Sequence, residues 1–212
     1  MNRKACYGGL GLLGAFVLWT AALFAVDVAP IGPMGSRVGF STLNGWFHNL
    51  TGVHLPLYEI TDWLSLLPLG VIVGFGLLGL VQWRKRGHLL RVDRSILALG
   101  GFYLLVLAAF FLFEVLAVNY RPVLIDGRLE ASYPSSTTML VMCVMPTAAM
   151  QLRERMKDGR LRRPAVWALW IFTAGMVVAR LLSGVHWLTD IAGGALLSGG
   201  LVLLYRGISV TE

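Results

Sequence analysis

Six long apolar runs constrain this chain more than any other feature of its sequence. Each run is close to the ~20 residues that an α-helix needs to cross the hydrocarbon core of a bilayer. A backbone exposed to lipid must satisfy its own hydrogen bonds, and no alternating pattern indicates the strands of a barrel. The sequence therefore predicts an all-α, polytopic membrane bundle of six transmembrane helices. The predicted helices span approximately residues 8–26, 62–83, 95–118, 137–152, 164–182 and 187–205.

The composition agrees with this prediction. Hydrophobic residues make up 57% of the 212 residues and charged residues only 14%, which is too apolar for a soluble domain of this length. We interpret the whole chain, residues 1–212, as one membrane-embedded domain. The two cysteines, Cys6 and Cys143, lie in or beside apolar runs and are interpreted as packing residues, not as a disulfide or a metal pair.

The basic residues predict the orientation of the bundle. Fourteen of the eighteen lie at the N-terminus, in the 84–94 and 153–163 loops, or in the tail. The positive-inside rule then places both termini in the cytoplasm. The net charge of +7 is interpreted as this topology signal and as a contact for anionic lipids, not as a nucleic-acid surface. On the other side, an amphipathic stretch at 40–50 is expected to lie along the interface, anchored by Trp46 and Phe47.

Three ionisable residues stand out near the start of the last apolar run. Such groups are costly in or near hydrocarbon and by default indicate a functional site. His186 and Asp190 are four residues apart, so they share one face if the segment is helical. The carboxylate could then accept one imidazole N–H and leave the other nitrogen free to react with a substrate. Arg180 could bind an oxyanion such as phosphate through its planar guanidinium.

Two further polar segments are predicted to lie at the same end of the helices. Pro122 is expected to end the third helix and to leave Arg121 at its mouth. Residues 133–138 contain a proline followed by four hydroxyl residues, which predicts a helix start capped by Ser135 or Ser136. The N-terminus of a helix is a suitable phosphate site. Together with the histidine, these segments indicate phosphoryl transfer.

The order of these motifs resembles the type-2 phosphatidic acid phosphatase superfamily of integral-membrane lipid phosphatases. The resemblance covers about residues 121–190 and rests on Arg-Pro, then Pro-Ser, then Arg-x5-His-x3-Asp. It implies that His186 is a nucleophile that forms a phosphohistidine, with Asp190 orienting it. It implies phosphate binding by Arg121, Arg180 and Ser135, and we add Ser136 as a second hydroxyl at the same helix start. It implies no metal and no cofactor.

Two positions depart from the pattern of that family. Glu114 stands where the first motif usually begins with lysine, and Thr137 stands where the second motif has the histidine that protonates the leaving group. General acid catalysis contributes ~10²–10⁴-fold in rate, so this loss needs an explanation. A diphosphate substrate such as an isoprenyl diphosphate would need little protonation. Glu114, His48 or His54 could instead supply the proton, although Glu114 could also be a structural partner of Arg121.

The sequence therefore predicts a lipid phosphatase that hydrolyses a lipid phosphate or isoprenyl diphosphate at the extracytoplasmic face of a bacterial cell membrane. Two alternatives stay open: a phosphotransferase that uses another acceptor in place of water, and a non-catalytic lipid-phosphate binder or transporter on the same scaffold. Five polar residues before the second apolar run are expected to be ordinary loop and interface residues. They are His48, His54, Tyr58, Glu59 and Asp62.

Overall fold

The computed structural model of the chain describes residues 2–209, and within that range the regular secondary structure is helical. Two short 3-10 turns, Pro33–Gly35 and Leu89–Arg91, and three isolated β-bridges complete the backbone. The prediction of an all-α fold is confirmed. The α-helices are α1 (Arg3–Leu23), α2 (Ser41–Thr51), α3 (Leu55–Leu64), α4 (Leu66–Arg86), α5 (Arg94–Leu116), α6 (Ser136–Arg155), α7 (Gly159–Leu182) and α8 (Leu188–Ser209).

Each predicted apolar run corresponds to one long helix, within a few residues at either end. Five of these helices are long and apolar enough to cross a membrane: α1, the joined α3 and α4, α5, α7 and α8. The fourth predicted run is α6. This helix is less apolar than the others, and many of its residues are buried among them. It carries the buried polar residues Thr138, Thr147 and Gln151. The chain is thus a multi-pass membrane protein, and the count of six spans stays a prediction.

Helices α1 and α8 run antiparallel along their whole length. At one end the Asn2 N–H donates to the Gly207 carbonyl over 3.0 Å. At the other end the Trp19 Nε1–H donates to the Thr189 carbonyl over 3.2 Å. The helices can approach closely because Gly200 has no side chain: a Cβ there would lie 2.8 Å from the side chain of Leu13. Both ends of the described chain therefore lie at the same end of the bundle.

That end is also held together by a single carboxylate, Asp93. Its oxygens lie 2.8 Å from Arg86 Nη1 and 3.0 Å from Arg155 Nη1. Gln82 Nε2 donates to the same carboxylate over 2.8 Å. The hydrogen bonds from Arg155, Gln82 and Arg86 lower the pKa of Asp93 to about 2. The ends of α4 and α6 and the start of α5 are thus joined here, and the start of α6 lies at the opposite end of the bundle.

The loops and short helices at the opposite end are fixed by buried polar contacts. Asn44 of α2 donates to the Gly39 carbonyl over 2.8 Å and to Thr189 Oγ1 over 3.0 Å. It also accepts the Thr189 N–H over 3.2 Å, so α2 is attached to the first turn of α8. The amphipathic stretch at residues 40–50 forms α2, with Trp46 exposed. Its position along the membrane interface stays a prediction.

Candidate active site

His186 lies in the turn between α7 and α8 and is 3% exposed. Its Nδ1 is 3.1 Å from the backbone carbonyl oxygen of Ser132. Because a carbonyl can only accept, Nδ1 carries the proton and the lone pair is on Nε2. Nε2 is buried and has no hydrogen-bond partner among residues 2–209. Within the described residues, the nitrogen that carries the lone pair, Nε2, is thus also the one that forms no hydrogen bond.

Asp190 lies next to this imidazole, as predicted, but it does not form the expected hydrogen bond with it. Its Oδ2 is 3.8 Å from His186 Nδ1, which is an ion-pair distance rather than a hydrogen bond. The reason is that α8 begins at Leu188, so His186 lies outside the helix. The two oxygens of Asp190 have other donors: Asn119 Nδ2 at 3.1 Å and the Trp187 N–H at 3.0 Å. Asp190 acts on the histidine as a nearby, fully buried negative charge.

The surroundings of His186 favour its neutral form. Burial lowers its pKa to about 4, and the positive charges of Arg121 and Arg180 act in the same direction. Asp190 opposes this shift without cancelling it. At neutral pH the imidazole therefore retains the lone pair that a nucleophile needs.

Arg180 is on the last turn of α7 and is 1% exposed. Its guanidinium carbon lies 4.6 Å from the centre of the Tyr58 ring, and that of Arg121 lies 5.5 Å from the same ring. Both distances are within the range of a cation–π interaction. One aromatic side chain therefore contacts both arginines that the sequence predicts to bind phosphate.

Helix α3 provides the other contacts of Arg180. Nη1 donates to Thr61 Oγ1 over 3.0 Å and to the Tyr58 carbonyl over 3.3 Å. Nη2 lies 3.6 Å from Asp62 Oδ1. The expectation that Tyr58 and Asp62 are ordinary loop residues is therefore wrong, because α3 packs against the end of α7. A signal was present: positions 58, 61 and 62 share one face of a helix.

Arg121 does not lie at the mouth of a helix, so that expectation is wrong. Helix α5 ends at Leu116, where Ala117 adopts a left-handed conformation with φ of 44°. Arg121 follows in an extended loop, where its N–H donates to the Glu130 carbonyl over 3.0 Å. Its Nε lies 3.0 Å from Glu130 Oε2, so the ionic partner of Arg121 is Glu130 and not Glu114. Its Nη1 is buried and has no hydrogen-bond partner in the described part of the chain.

The predicted helix start after Pro134 is confirmed, because Ser135 is the N-cap of α6. The predicted side-chain cap does not form. The Oγ of Ser135 is fully buried and, within residues 2–209, has no hydrogen-bond partner. The same holds for Thr138 Oγ1. A hydroxyl at a helix N-terminus that does not cap the helix is available to bind an oxyanion.

Two adjoining cavities surround the start of α6. The smaller has a volume of about 20 Å³. Its lining includes His186, Glu114, Ser132, Tyr133 and Ser136. The larger, of about 340 Å³, shares Ser136 with it. Its wall is polar at Asp62, Ser65 and Thr137 and apolar along α4 and α5. The small cavity has both polar and apolar walls and room for about one water molecule. It adjoins a larger, mostly apolar cavity, an arrangement that suits an amphiphile with a polar group at one end.

The three residues considered as substitute acids differ in position. Glu114 lines the small cavity with His186. His48 and His54 line neither cavity. His48 packs against Trp187, with ring centres 5.5 Å apart, and His54 Nε2 lies 2.9 Å from the Thr51 carbonyl. Across residues 2–209 no group of three His, Cys, Asp or Glu residues is arranged to hold a metal ion.

Comparisons with known proteins bear on the family and the fold of the chain. A family model described as the PAP2 superfamily matches residues 71–211. That range includes Arg121, Ser135, Arg180 and His186 but begins after α3, which carries Tyr58. A crystal structure described as the first transmembrane PAP2-type phosphatidylglycerolphosphate phosphatase from Bacillus subtilis is similar in fold, with a TM-score of 0.64 and 20% identity over 95% of each chain. A comparison with curated proteins found no match.

Proposed function

The chain belongs to the PAP2 superfamily, and from this premise we propose that it is a lipid phosphatase that uses His186 as its nucleophile. The observation that supports this most directly is the state of the His186 ring. Nδ1 donates to the Ser132 carbonyl, whereas Nε2 is buried beside a cavity and has no hydrogen-bond partner in the part of the chain that the structure describes. A buried polar atom without a partner is costly, so its retention is explained best by a ligand or substrate that it contacts.

The proposed reaction has two steps. In the first, the Nε2 lone pair attacks phosphorus, the bond from phosphorus to the leaving oxygen breaks, and a phosphohistidine forms. The imidazole then carries a positive charge, which the carboxylate of Asp190 stabilises from 3.8 Å. In the second step water attacks phosphorus and gives a proton to the carboxylate that protonated the leaving oxygen. The P–N bond breaks, its electrons return to Nε2, and inorganic phosphate leaves with His186 restored.

Arg121 and Arg180 are proposed to bind the phosphoryl oxygens. Within the described residues, Arg121 Nη1 and Nε and Arg180 Nε are buried without a hydrogen-bond partner, although Arg121 Nε is ion-paired with Glu130. The Oγ of Ser135, also without a partner in that range, lies at the N-terminus of α6, and Ser136 lines both cavities. Charge-assisted donors held in a buried site stabilise the negative charge that shifts onto these oxygens in the transition state.

Glu114 is proposed to protonate the leaving oxygen in place of the missing histidine. It lines the same small cavity as His186, whereas Thr137 lines only the larger one and has no useful pKa for the task. A protonated Glu114 would pass its proton to an alkoxide as the phosphorus–oxygen bond breaks. A diphosphate needs this help less, because its leaving group is itself a stabilised phosphate.

The proposed substrate is a lipid phosphate or an isoprenyl diphosphate. Its phosphate would lie beside His186 Nε2, where the small cavity would have to open to admit it. Its chain would lie in the larger cavity, whose apolar wall includes Leu69, Leu107 and Phe110. We also propose that the site faces the extracytoplasmic side. The basic residues support this, since the site end of the bundle has only Arg37, Arg121, Arg128 and Arg180 of the eighteen.

The test is phosphate release by the purified protein from a panel of lipid mono- and diphosphates, including phosphatidylglycerophosphate. We expect release by the wild type, and an acid-labile phosphoprotein when the reaction with labelled substrate is quenched. His186→Ala should abolish both, whereas His54→Ala, on the same side but outside both cavities, should keep them. Full activity of a folded His186→Ala protein would contradict the mechanism. Lipid binding without release would favour a non-catalytic binder, and transfer to an added alcohol would favour a phosphotransferase.

A further inference from the structure

A second pocket lies at the end of the bundle away from His186. It has a volume of about 640 Å³ and is formed where α6 ends and α7 begins. Helix α6 is 20 residues long and starts at the active site, so at 1.5 Å per residue this pocket is about 30 Å away. Its lining residues are Arg153, Arg162, Arg163, Val166, Trp167 and Trp170.

The three arginines of this pocket lack acidic partners. Within residues 2–209 none of them forms an ion pair, in contrast to Arg86 and Arg155 at the same end of the bundle, which share Asp93. The acidic residue nearest to the start of α7, Asp158, accepts the Arg160 N–H over 2.8 Å and is used as a helix cap. Arg162 Nη1 donates to the Met156 carbonyl over 3.2 Å, which leaves its charge unpaired. The pocket therefore concentrates positive charge that is not ion-paired within the described residues, and such a cluster attracts anions.

Tryptophan provides the other wall of the pocket. Trp167 is 67% exposed and Trp170 is 43% exposed on α7, which is itself one of the helices apolar enough to cross a membrane. The pocket lies at the first turns of that helix, where a membrane-spanning segment leaves the hydrocarbon. Arginine and tryptophan together at this depth match both parts of a phospholipid, the charged head group and the start of its chains.

We propose that this pocket binds the phosphate head group of an anionic phospholipid in the leaflet opposite the active site. The arginines would contact the phosphodiester oxygens, and the tryptophans would pack against the glycerol and the upper chain carbons. A free inorganic anion would use only the charged half of the pocket. The lipid would act as a bound structural ligand, joining the α6–α7 connection to the bilayer. It is not a substrate, since the pocket is remote from His186.

The experiment titrates phosphatidylglycerol into the purified full-length protein in zwitterionic micelles and follows the thermal unfolding midpoint. A ligand that binds only the folded state raises this midpoint. We expect a saturable rise for the wild type. The double variant Arg153→Gln/Arg163→Gln should lower the apparent affinity about 30-fold, since each arginine near the surface adds roughly fivefold. Trp167→Ala should also weaken binding.

The matched control is Arg84→Gln/Lys85→Gln, which removes two exposed charges at the same end of the bundle but outside the pocket. We expect this variant to bind like the wild type. An equal loss in the control, or no loss in the pocket variant, would overturn the proposal. The same rise with inorganic phosphate would show that the ligand is a free anion. Should the glutamine variant unfold without lipid, Arg153→Lys/Arg163→Lys retains the charge and must retain binding. Phosphatidylglycerol has no terminal phosphate, so the result does not depend on the proposed phosphatase activity.

Discussion

The guanidinium of Arg180 lies over the ring of Tyr58, with the guanidinium carbon 4.6 Å from the ring centre. The same ring lies 5.5 Å from the guanidinium carbon of Arg121. Two buried cations that are proposed to bind one phosphate repel each other while no phosphate is bound. The negative face of an aromatic ring offsets part of that repulsion without competing for the hydrogen-bond donors. We therefore propose Tyr58 as a positioning residue for the proposed phosphate site.

This relationship predicts different effects for two substitutions of Tyr58. Tyr58→Phe retains the ring and should keep kcat/KM close to the wild-type value. Tyr58→Leu loses both cation–π contacts and should lower kcat/KM about tenfold, given ~1–2 kcal/mol for such contacts in a buried site. The measurement is phosphate release with lipid substrate, together with competitive inhibition by inorganic phosphate. A purely structural role would lower the unfolding midpoint and leave the inhibition constant unchanged.

A second prediction concerns the two buried asparagines near α8. Asn119 donates to Asp190 Oδ1 over 3.1 Å, whereas Asn44 is bonded to Thr189 and Gly39. Each change to alanine leaves buried groups unpaired and should destabilise the fold by roughly 1–3 kcal/mol. Only Asn119→Ala should also reduce kcat, because only it alters the carboxylate beside His186. Equal kcat values for folded Asn119→Ala and Asn44→Ala proteins would contradict a role for Asn119 in the site.

The third prediction tests Glu114 as the proton donor. Glu114→Gln retains the size of the side chain but cannot supply a proton of comparable acidity. For a lipid monophosphate ester we expect a loss of ~10²–10⁴-fold in kcat. For an isoprenyl diphosphate the loss should be much smaller, because the leaving phosphate needs little protonation. The ratio of the two effects is the decisive measurement. An equal loss on both substrates would assign Glu114 to substrate binding or structure.

Much of this site could be predicted from the sequence, because its ionisable groups lie in an otherwise apolar chain. Arg180, His186 and Asp190 were expected to lie close together, and Arg121 and Ser135 were expected to join them; the structure places these residues around the start of α6. Their catalytic roles stay a prediction. The long helices could be predicted equally well, since the thickness of the bilayer sets the length of each apolar run.

The contacts that the sequence did not predict depend on tertiary packing. Tyr58 and Thr61 reach Arg180 only because α3 folds back on the end of α7. The acceptor for His186 Nδ1 is a backbone carbonyl, that of Ser132, which no side-chain pattern can indicate. The i, i+4 spacing of His186 and Asp190 was interpreted as helical. The first turn of α8 instead uses the Asp190 carboxylate to accept the Trp187 N–H.

The low pKa of His186 predicts a particular pH dependence of stability. Its pKa is about 4 in the folded protein, whereas an unfolded histidine titrates near 6.5. Between these values the unfolded chain binds a proton that the folded protein does not, so stability should fall as pH falls from 6.5 to 4. The full loss is at most on the order of 3 kcal/mol.

His186→Ala should remove this part of the pH dependence in unfolding midpoints measured between pH 4 and pH 6.5. Burial also lowers the pKa of His48, so a His48→Gln variant is needed to separate its contribution. An unchanged slope in His186→Ala would show that His186 does not titrate in this way.

The last prediction concerns the turn that holds His186. Gly184 adopts a φ of +70°, and a Cβ added to it would collide with the Gly52 carbonyl. Next to it, the His54 N–H donates to the Ser183 carbonyl over 2.9 Å, so the loop before α3 packs directly on this turn. Gly184→Ala should therefore destabilise the protein by ~2 kcal/mol or more, from backbone strain together with the clash. It should also reduce kcat, since the turn cannot relax without moving the imidazole.

Gly175→Ala in α7 is the matched control: a Cβ there has nothing within 4 Å, and alanine favours a helix. We expect that variant to be as stable as the wild type and fully active. If Gly184→Ala retained the wild-type unfolding midpoint and phosphate release, the close contact between the two loops would not be needed to position His186.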